Sequence, residues 1–269
     1  MTYSGGRMLR QGSAFERMTQ AEYFDHFMEL DCLSRWNTLE TDGGATVEWQ
    51  TTGRGGVVNL QIVNTLNDEA YMYSPAVFKW NGDLPMVFQG RMVSDMDTGD
   101  LDLANAWVAG FNAASVFGAG DLIADGGLGL GVTTGDPAMF FKPNGTEYLS
   151  VCTATSASTV QITETDSKQQ VDPAGGNVPF ISLRIEVFPR GDENFDVVYS
   201  VDEGGELGFQ QCRDRATNKP IKHSMFYDPS SAMAIGCGIK LGETNDTCLL
   251  RVDAMGGIVQ AARRYGDTI

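Results

Sequence analysis

The clearest order in the chain is alternation. Over 180–188, Ile181, Leu183, Ile185 and Val187 fall on one side, and Ser182, Arg184 and Glu186 on the other. Successive strand residues point to opposite faces, so this spacing predicts a strand with one buried face. Residues 195–202 repeat the pattern with Phe195, Val197, Tyr199 and Val201, and Glu203-Gly204-Gly205 closes that hairpin. Over 232–241, Met233, Ile235, Cys237, Ile239 and Leu241 alternate with small residues and Lys240. Further strands are expected over 57–63, 70–80, 85–93, 105–115, 138–142, 148–154, 159–163 and 249–255. Pro143-Asn144-Gly145 is a turn signal, and Thr41-Asp42-Gly43-Gly44 turns the segment that holds Trp36 and Trp49. Residues 119–132 are glycine-dense and read as a connection. Residues 211–228 read as a long polar excursion.

One segment departs from the two-residue period. Tyr23, Phe24, Phe27, Met28 and Leu30 follow helical spacing, and Ser13 to Glu16 and Thr19 to Glu22 have the spacing of a capping box. The expectation is a short helix over 19–30 behind an N-terminal arm. About ten one-faced strands bury their apolar sides best as two antiparallel sheets packed face to face, with outer faces in water. The chain is therefore expected to be all-β. Residues 1–33 form an arm and helix for attachment or oligomer contact, and 34–269 form one β-sandwich.

Composition narrows the partners. The 269 residues carry a formal charge of −16, which disfavours nucleic acid, since phosphate binding needs clustered Lys and Arg. The 32 glycines suit a turn-dense β protein. Cys32, Cys152, Cys212, Cys237 and Cys248 are odd in number and contain no CxxC pair, so reduced core thiols are expected. The first fourteen residues have Arg7 and Arg10 but no apolar stretch, so no signal peptide is expected. No run approaches the roughly 18–20 apolar residues of a membrane span.

From about 78 to 264 the chain resembles concanavalin A-like or laminin-G-like jelly rolls, in the form found among tailed-bacteriophage virion proteins. Four features carry the resemblance. They are the strand and glycine region over 107–132, Gly135-Asp136 leading into Phe140-Phe141-Lys142, the hairpin ending Val198-Tyr199-Ser200-Val201-Asp202-Glu203-Gly204, and the closing Leu249-Leu250-Arg251-Val252-Asp253 with Arg263-Arg264 beyond. The resemblance implies a two-sheet antiparallel jelly roll. It also implies a virion protein that decorates or cements the outer capsid, bound to the major capsid protein and to itself as a trimer, after assembly in the host cytoplasm. The excursion over 211–228 departs from that pattern.

No catalytic motif is present. A glycosidase on such a sandwich needs two close carboxylates. The nearest candidates are Asp95, Asp97, Asp100 and Asp102, and Glu186 with Asp192 and Glu193, both sets expected in or beside loops. The four aspartates would better suit calcium, as hard oxygen ligands close together, although their spacing is not that of an EF-hand. His26 and His223 are far apart in sequence, which argues against zinc. Tyr71, Tyr73, Trp80 and Trp107 could form a sugar platform, with core packing as their ordinary use. Three readings follow. The first is a non-enzymatic capsid decoration protein without cofactor, the second a lectin-like module or adhesin for a host glycan, and the third a glycosidase.

Overall fold

The computed structural model describes residues 21–259, apart from 30, 42, 53–54, 64, 80–83, 97–104, 121, 132–134, 157–158, 170–179, 192–193, 205–206, 227–231 and 243–246. The strands among the described residues are β1 (Ala21–Asp25), β2 (Asn37–Glu40), β3 (Ala45–Thr52), β4 (Gly55–Val63), β5 (Glu69–Tyr73), β6 (Phe78–Lys79), β7 (Met86–Met96), β8 (Asn105–Ala113), β9 (Ala138–Lys142), β10 (Tyr148–Ser156), β11 (Thr159–Lys168), β12 (Ile181–Gly191), β13 (Asn194–Asp202), β14 (Gln210–Gln211), β15 (Lys222–Phe226), β16 (Ala232–Leu241) and β17 (Thr247–Val259). They form two antiparallel sheets. The first runs β14-β13-β12-β7-β17-β4-β3, with β1 added on β17 and β15 on β13. The second runs β11-β10-β9-β8-β16-β5-β2, with β6 on β16.

The expected two-sheet sandwich is what the chain forms. The alternating residues of β12, β13 and β16 turn inward with Phe88, Phe111, Phe140 and Leu250 to make the main core. Each such side chain contributes about 1.5–3 kcal/mol on burial. All five cysteines are buried free thiols. Burial pushes the Cys152 and Cys212 thiols up to about 12, so they stay protonated.

Where the helix was expected over 19–30, the described residues 21–29 form instead a strand and a turn. Residues 1–20, which hold the capping-box signals, lie outside the described residues. β17 runs on past the end of β4 and leaves a free edge from Met255 to Val259, which β1 fills in register from Asp25 to Ala21. A Cβ on Gly256 would lie 1.9 Å from the Phe24 ring, so the aromatic takes the room the glycine leaves. Phe27, at φ 51, then turns into the core. Asp25 holds that turn. Its carboxylate accepts from the Phe27 amide at 2.8 Å and the Trp36 indole at 3.3 Å, and pairs with Arg35 at 3.0 Å. The Trp49 indole donates to the Phe27 carbonyl at 2.6 Å. Directly beneath, a Cβ on Gly56 would fall 1.7 Å from that carbonyl oxygen and 2.3 Å from the indole nitrogen. Gly56→Ala is therefore expected to destabilise the protein by about 2–3 kcal/mol, read from urea midpoints. A loss below about 0.5 kcal/mol would mean that the turn shifts freely.

The second correction concerns the outer face of the second sheet. That face does not meet water at its centre. Residues 113–120 and 122–131 fold back over it, with the one-turn helix α1 (Ala114–Phe117) and a bridge between Ile123 and Leu130. Val116, Phe117, Leu122 and Ile123 pack on Tyr71, Ala106, Val108, Met139, Phe141 and Cys152. Central β8 and β9 are thus covered on both sides.

Candidate functional site

Over 211–226 the stretch read as a polar excursion is an ordered closure of one open side of the sandwich. β14 pairs with Ser200 and Val201 of β13, and β15 pairs with the first half of β13. The intervening residues reach across to the other sheet. Asp214 bridges to Thr165 of β11, the Asp166 amide donates to the Arg213 carbonyl at 2.8 Å, and Arg215 pairs with Glu164 at 2.7 Å. Asp214 fixes the turn by accepting from the Ala216 and Thr217 amides at 2.8 and 3.2 Å, while Asn218 takes the left-handed conformation. The Ala216 amide holds the Asp214 carboxyl below its ordinary range. From β15, buried His223 meets the Thr153 hydroxyl at 3.0 Å and the Thr163 hydroxyl at 2.9 Å. Burial lowers its pKa to about 4, so the imidazole is neutral.

On this seam lies a cleft of about 590 Å³. It is lined by Asp166 and Ser167 from β11, Val201 to Glu203 from the end of β13, Leu207 and Gly208 from the hairpin, Gln210 and Gln211, and Arg213 and Pro220. Leu207 is 81% exposed beside it. The side amides are tied down. Gln211 donates to the Ile221 carbonyl at 2.9 Å, and Gln210 to the Leu207 carbonyl at 2.9 Å and the Phe209 carbonyl at 3.2 Å. The lining thus presents hydrogen-bonding groups and one apolar side chain.

The residues singled out from the sequence lie elsewhere. Asp97, Asp100 and Asp102 are outside the described residues, and Asp95 is placed by its backbone alone, opposite Leu249 in the β7–β17 pair. Glu186 points off the outer face of the first sheet and pairs with Arg184 at 2.9 Å, while Asp192 and Glu193 are outside the described residues. Tyr71 and Trp107 are fully buried, and Tyr73 stacks on Phe117 with centroids 5.6 Å apart, so these three pack the protein. Trp80 is outside the described residues. The Trp107 indole donates to Gln169 at 2.6 Å, within a buried polar group that includes Ser94, Asn105 and Lys142.

Among the described residues, no group of three or more His, Cys, Asp or Glu side chains is placed to hold a metal ion. The buried oxygen cage formed by Glu69, Asp125 and the Ile123 carbonyl is already filled by an ammonium. Lys240 Nζ lies 2.5 Å from Glu69, 2.9 Å from Asp125 and 2.9 Å from the Ile123 carbonyl, so a divalent cation does not fit there. Among the described residues, no helix is long and apolar enough to cross a membrane.

No protein family matches the sequence, and no curated protein does. The fold, however, matches solved structures. Lectin II from Ulex europaeus superposes with a TM-score of 0.52 at 9% identity, over 90% of this chain and 99% of that one. The exoplasmic/lumenal domain of VIP36, in its Ca2+/Man3GlcNAc-bound form, gives 0.51 at 11% identity over 87% of each chain. A protein of unknown function from Shewanella oneidensis MR-1 gives 0.52 at 13% identity over 93% of this chain and 91% of that one. The fold is a lectin-type jelly roll. At these identities the likeness establishes the architecture alone.

The cleft escaped sequence reading because its lining comes from separate stretches over 166–220, none of them a motif. The one local signal is two adjacent glutamines beside Leu207-Gly208-Phe209, at the start of the segment that departs from the jelly-roll pattern.

Proposed function

We propose that this protein is a non-catalytic carbohydrate-binding module whose ligand sits in the seam cleft. The cleft itself carries the reading: a concavity of about 590 Å³ with fixed amide and carboxylate groups beside an exposed leucine. A sugar ring presents a rim of hydroxyls and a C–H face, and such a lining answers both. The volume falls in the range of small-molecule sites. The lectin-type fold supports the reading, as does the VIP36 structure with its bound Man3GlcNAc. The apolar cover on the second sheet closes the centre of that face, which favours the rim. The Arg184 pairing of Glu186 favours binding over glycosidase chemistry. Capsid decoration by a trimer, implied by the sequence resemblance, gains no support from these neighbours. Calcium enters the proposal only through the aspartates over 95–102.

A glycan array probed with the full chain, followed by titration calorimetry, tests this. Leu207→Ala and Gln211→Ala are each expected to weaken binding about tenfold, a loss of about 1.4 kcal/mol, with the melting temperature unchanged in Leu207→Ala and lowered by a few degrees in Gln211→Ala, which also loses the tie to the Ile221 carbonyl. Silence across the array, or binding that ignores both substitutions, overturns the proposal.

A further inference from the structure

Resting on that carbohydrate reading, we infer that the cleft selects sugars bearing a free amino group and excludes acidic sugars. The argument is an inventory of donors and acceptors. Both glutamines spend their amide nitrogens on backbone carbonyls, which leaves the Oε1 atoms as their remaining groups. Each carboxylate spends one oxygen on a backbone amide: Asp166 on Arg213 at 3.0 Å, Asp202 on Gly204 at 2.9 Å, and Glu203 on Lys168 at 3.2 Å. The second oxygen of each has no partner among the described residues. These two glutamines and three carboxylates therefore offer five acceptor atoms.

Donors are fewer. Arg213 is the one cationic side chain in the lining, and one of its nitrogens already donates to the Asn218 carbonyl at 3.0 Å. Of the nearby cations, Lys168 is engaged outside it with Glu147 and over the Tyr148 ring, Arg215 with Glu164 and over the same ring, and Lys219, next to Pro220, acts on the Asp214 carboxylate. Three carboxylates against one guanidinium repel an anion and attract an ammonium. A protonated hexosamine supplies three donors at one atom together with its hydroxyls, so it satisfies several acceptors at once. N-acetylation removes the charge and leaves one donor. A uronate adds a like charge.

The test is calorimetry with the full chain at mildly acidic pH, using a glucosamine tetramer, its N-acetylated counterpart and a glucuronate-bearing oligosaccharide. The amine-bearing tetramer is expected to bind at least about tenfold tighter than the acetylated one, with no binding of the uronate. That preference should shrink towards unity in about 0.5 M salt and in the Asp202→Asn/Glu203→Gln double variant. Equal binding of both tetramers overturns the selectivity and leaves the carbohydrate reading standing. Binding of none overturns both. An amine preference untouched by the double variant overturns the location. Binding of a lysine-rich peptide in place of any amino sugar assigns the cleft to protein and overturns the inference.

Discussion

Replacing Lys240 with alanine is expected to cost the fold about 3–5 kcal/mol. The side chain is 1% exposed and Glu69, its principal partner, 2%. Their ammonium and carboxylate are desolvated together under the segment over 113–131, with the Ile123 carbonyl and Asp125 completing the cage. Removing the ammonium alone leaves the Glu69 charge under an apolar cover, where an isolated ion is strongly disfavoured. It also cuts the tie between the second sheet and its cover, which is held elsewhere by the Gly126 amide donating to Asn67 and Asn144 donating to the Gly126 carbonyl. The Lys240→Met/Glu69→Leu double variant should recover most of the loss, because a buried pair and an apolar pair of similar volume are near-equivalent. Asp125, 76% exposed, contributes little by comparison. Burial works to lower the Lys240 pKa, but Glu69 and Asp125 more than offset it, and the net shift is upward. This contribution is thus fully present below the ordinary lysine range and lost as pH rises through the higher folded value. Urea unfolding of the two variants decides the matter. A Lys240→Ala loss below about 1 kcal/mol would falsify the cage as a structural tie.

How much of this was legible beforehand depends on which partner each residue meets. β12, β13 and β16 have one face in the sandwich, and their alternation gave them away: Ile181 to Val187, Phe195 to Val201, Met233 to Leu241. β1 misled because its aromatics obey two different partners. Phe24 lies on a glycine of β17, and Phe27 leaves the strand through a left-handed turn, so the spacing imitates a helix. β15 was hidden because only His223 and Met225 of its five residues are buried, and a histidine does not count as apolar in a pattern. The cover over the second sheet left a trace in Ala106, Val108, Met139 and Phe141, apolar on the face expected to be wet. The cleft left almost none. Its side chains are ordinary surface polar residues, and only the closure of 210–221 against β11 and β13 brings them together.

Acid should weaken that same closure through His223. The imidazole, 3% exposed, lies between the hydroxyls of Thr153 and Thr163 and against the Tyr199 ring at 5.8 Å. Tyr199 turns its own hydroxyl to the Cys152 carbonyl at 2.7 Å. Among the described residues no carboxylate bonds the ring, so nothing there compensates a charge, and burial holds the folded pKa at about 4. In the unfolded chain a histidine protonates near 6.5. The folded value is depressed, so the stabilisation is complete above the unfolded pKa and falls away as pH drops towards the folded one. Linkage puts the loss at about 2 kcal/mol by pH 5 and about 3 kcal/mol by pH 4. Other groups titrate in that window, so the informative quantity is a difference. His223→Gln keeps an amide between the two threonines but cannot take up a proton. Between pH 7 and pH 4 the parent protein should lose about 3 kcal/mol more than this variant in urea unfolding. Parallel pH profiles, or an imidazole that titrates near 6.5 by NMR in the folded protein, would show that water reaches the ring and that the seam is open.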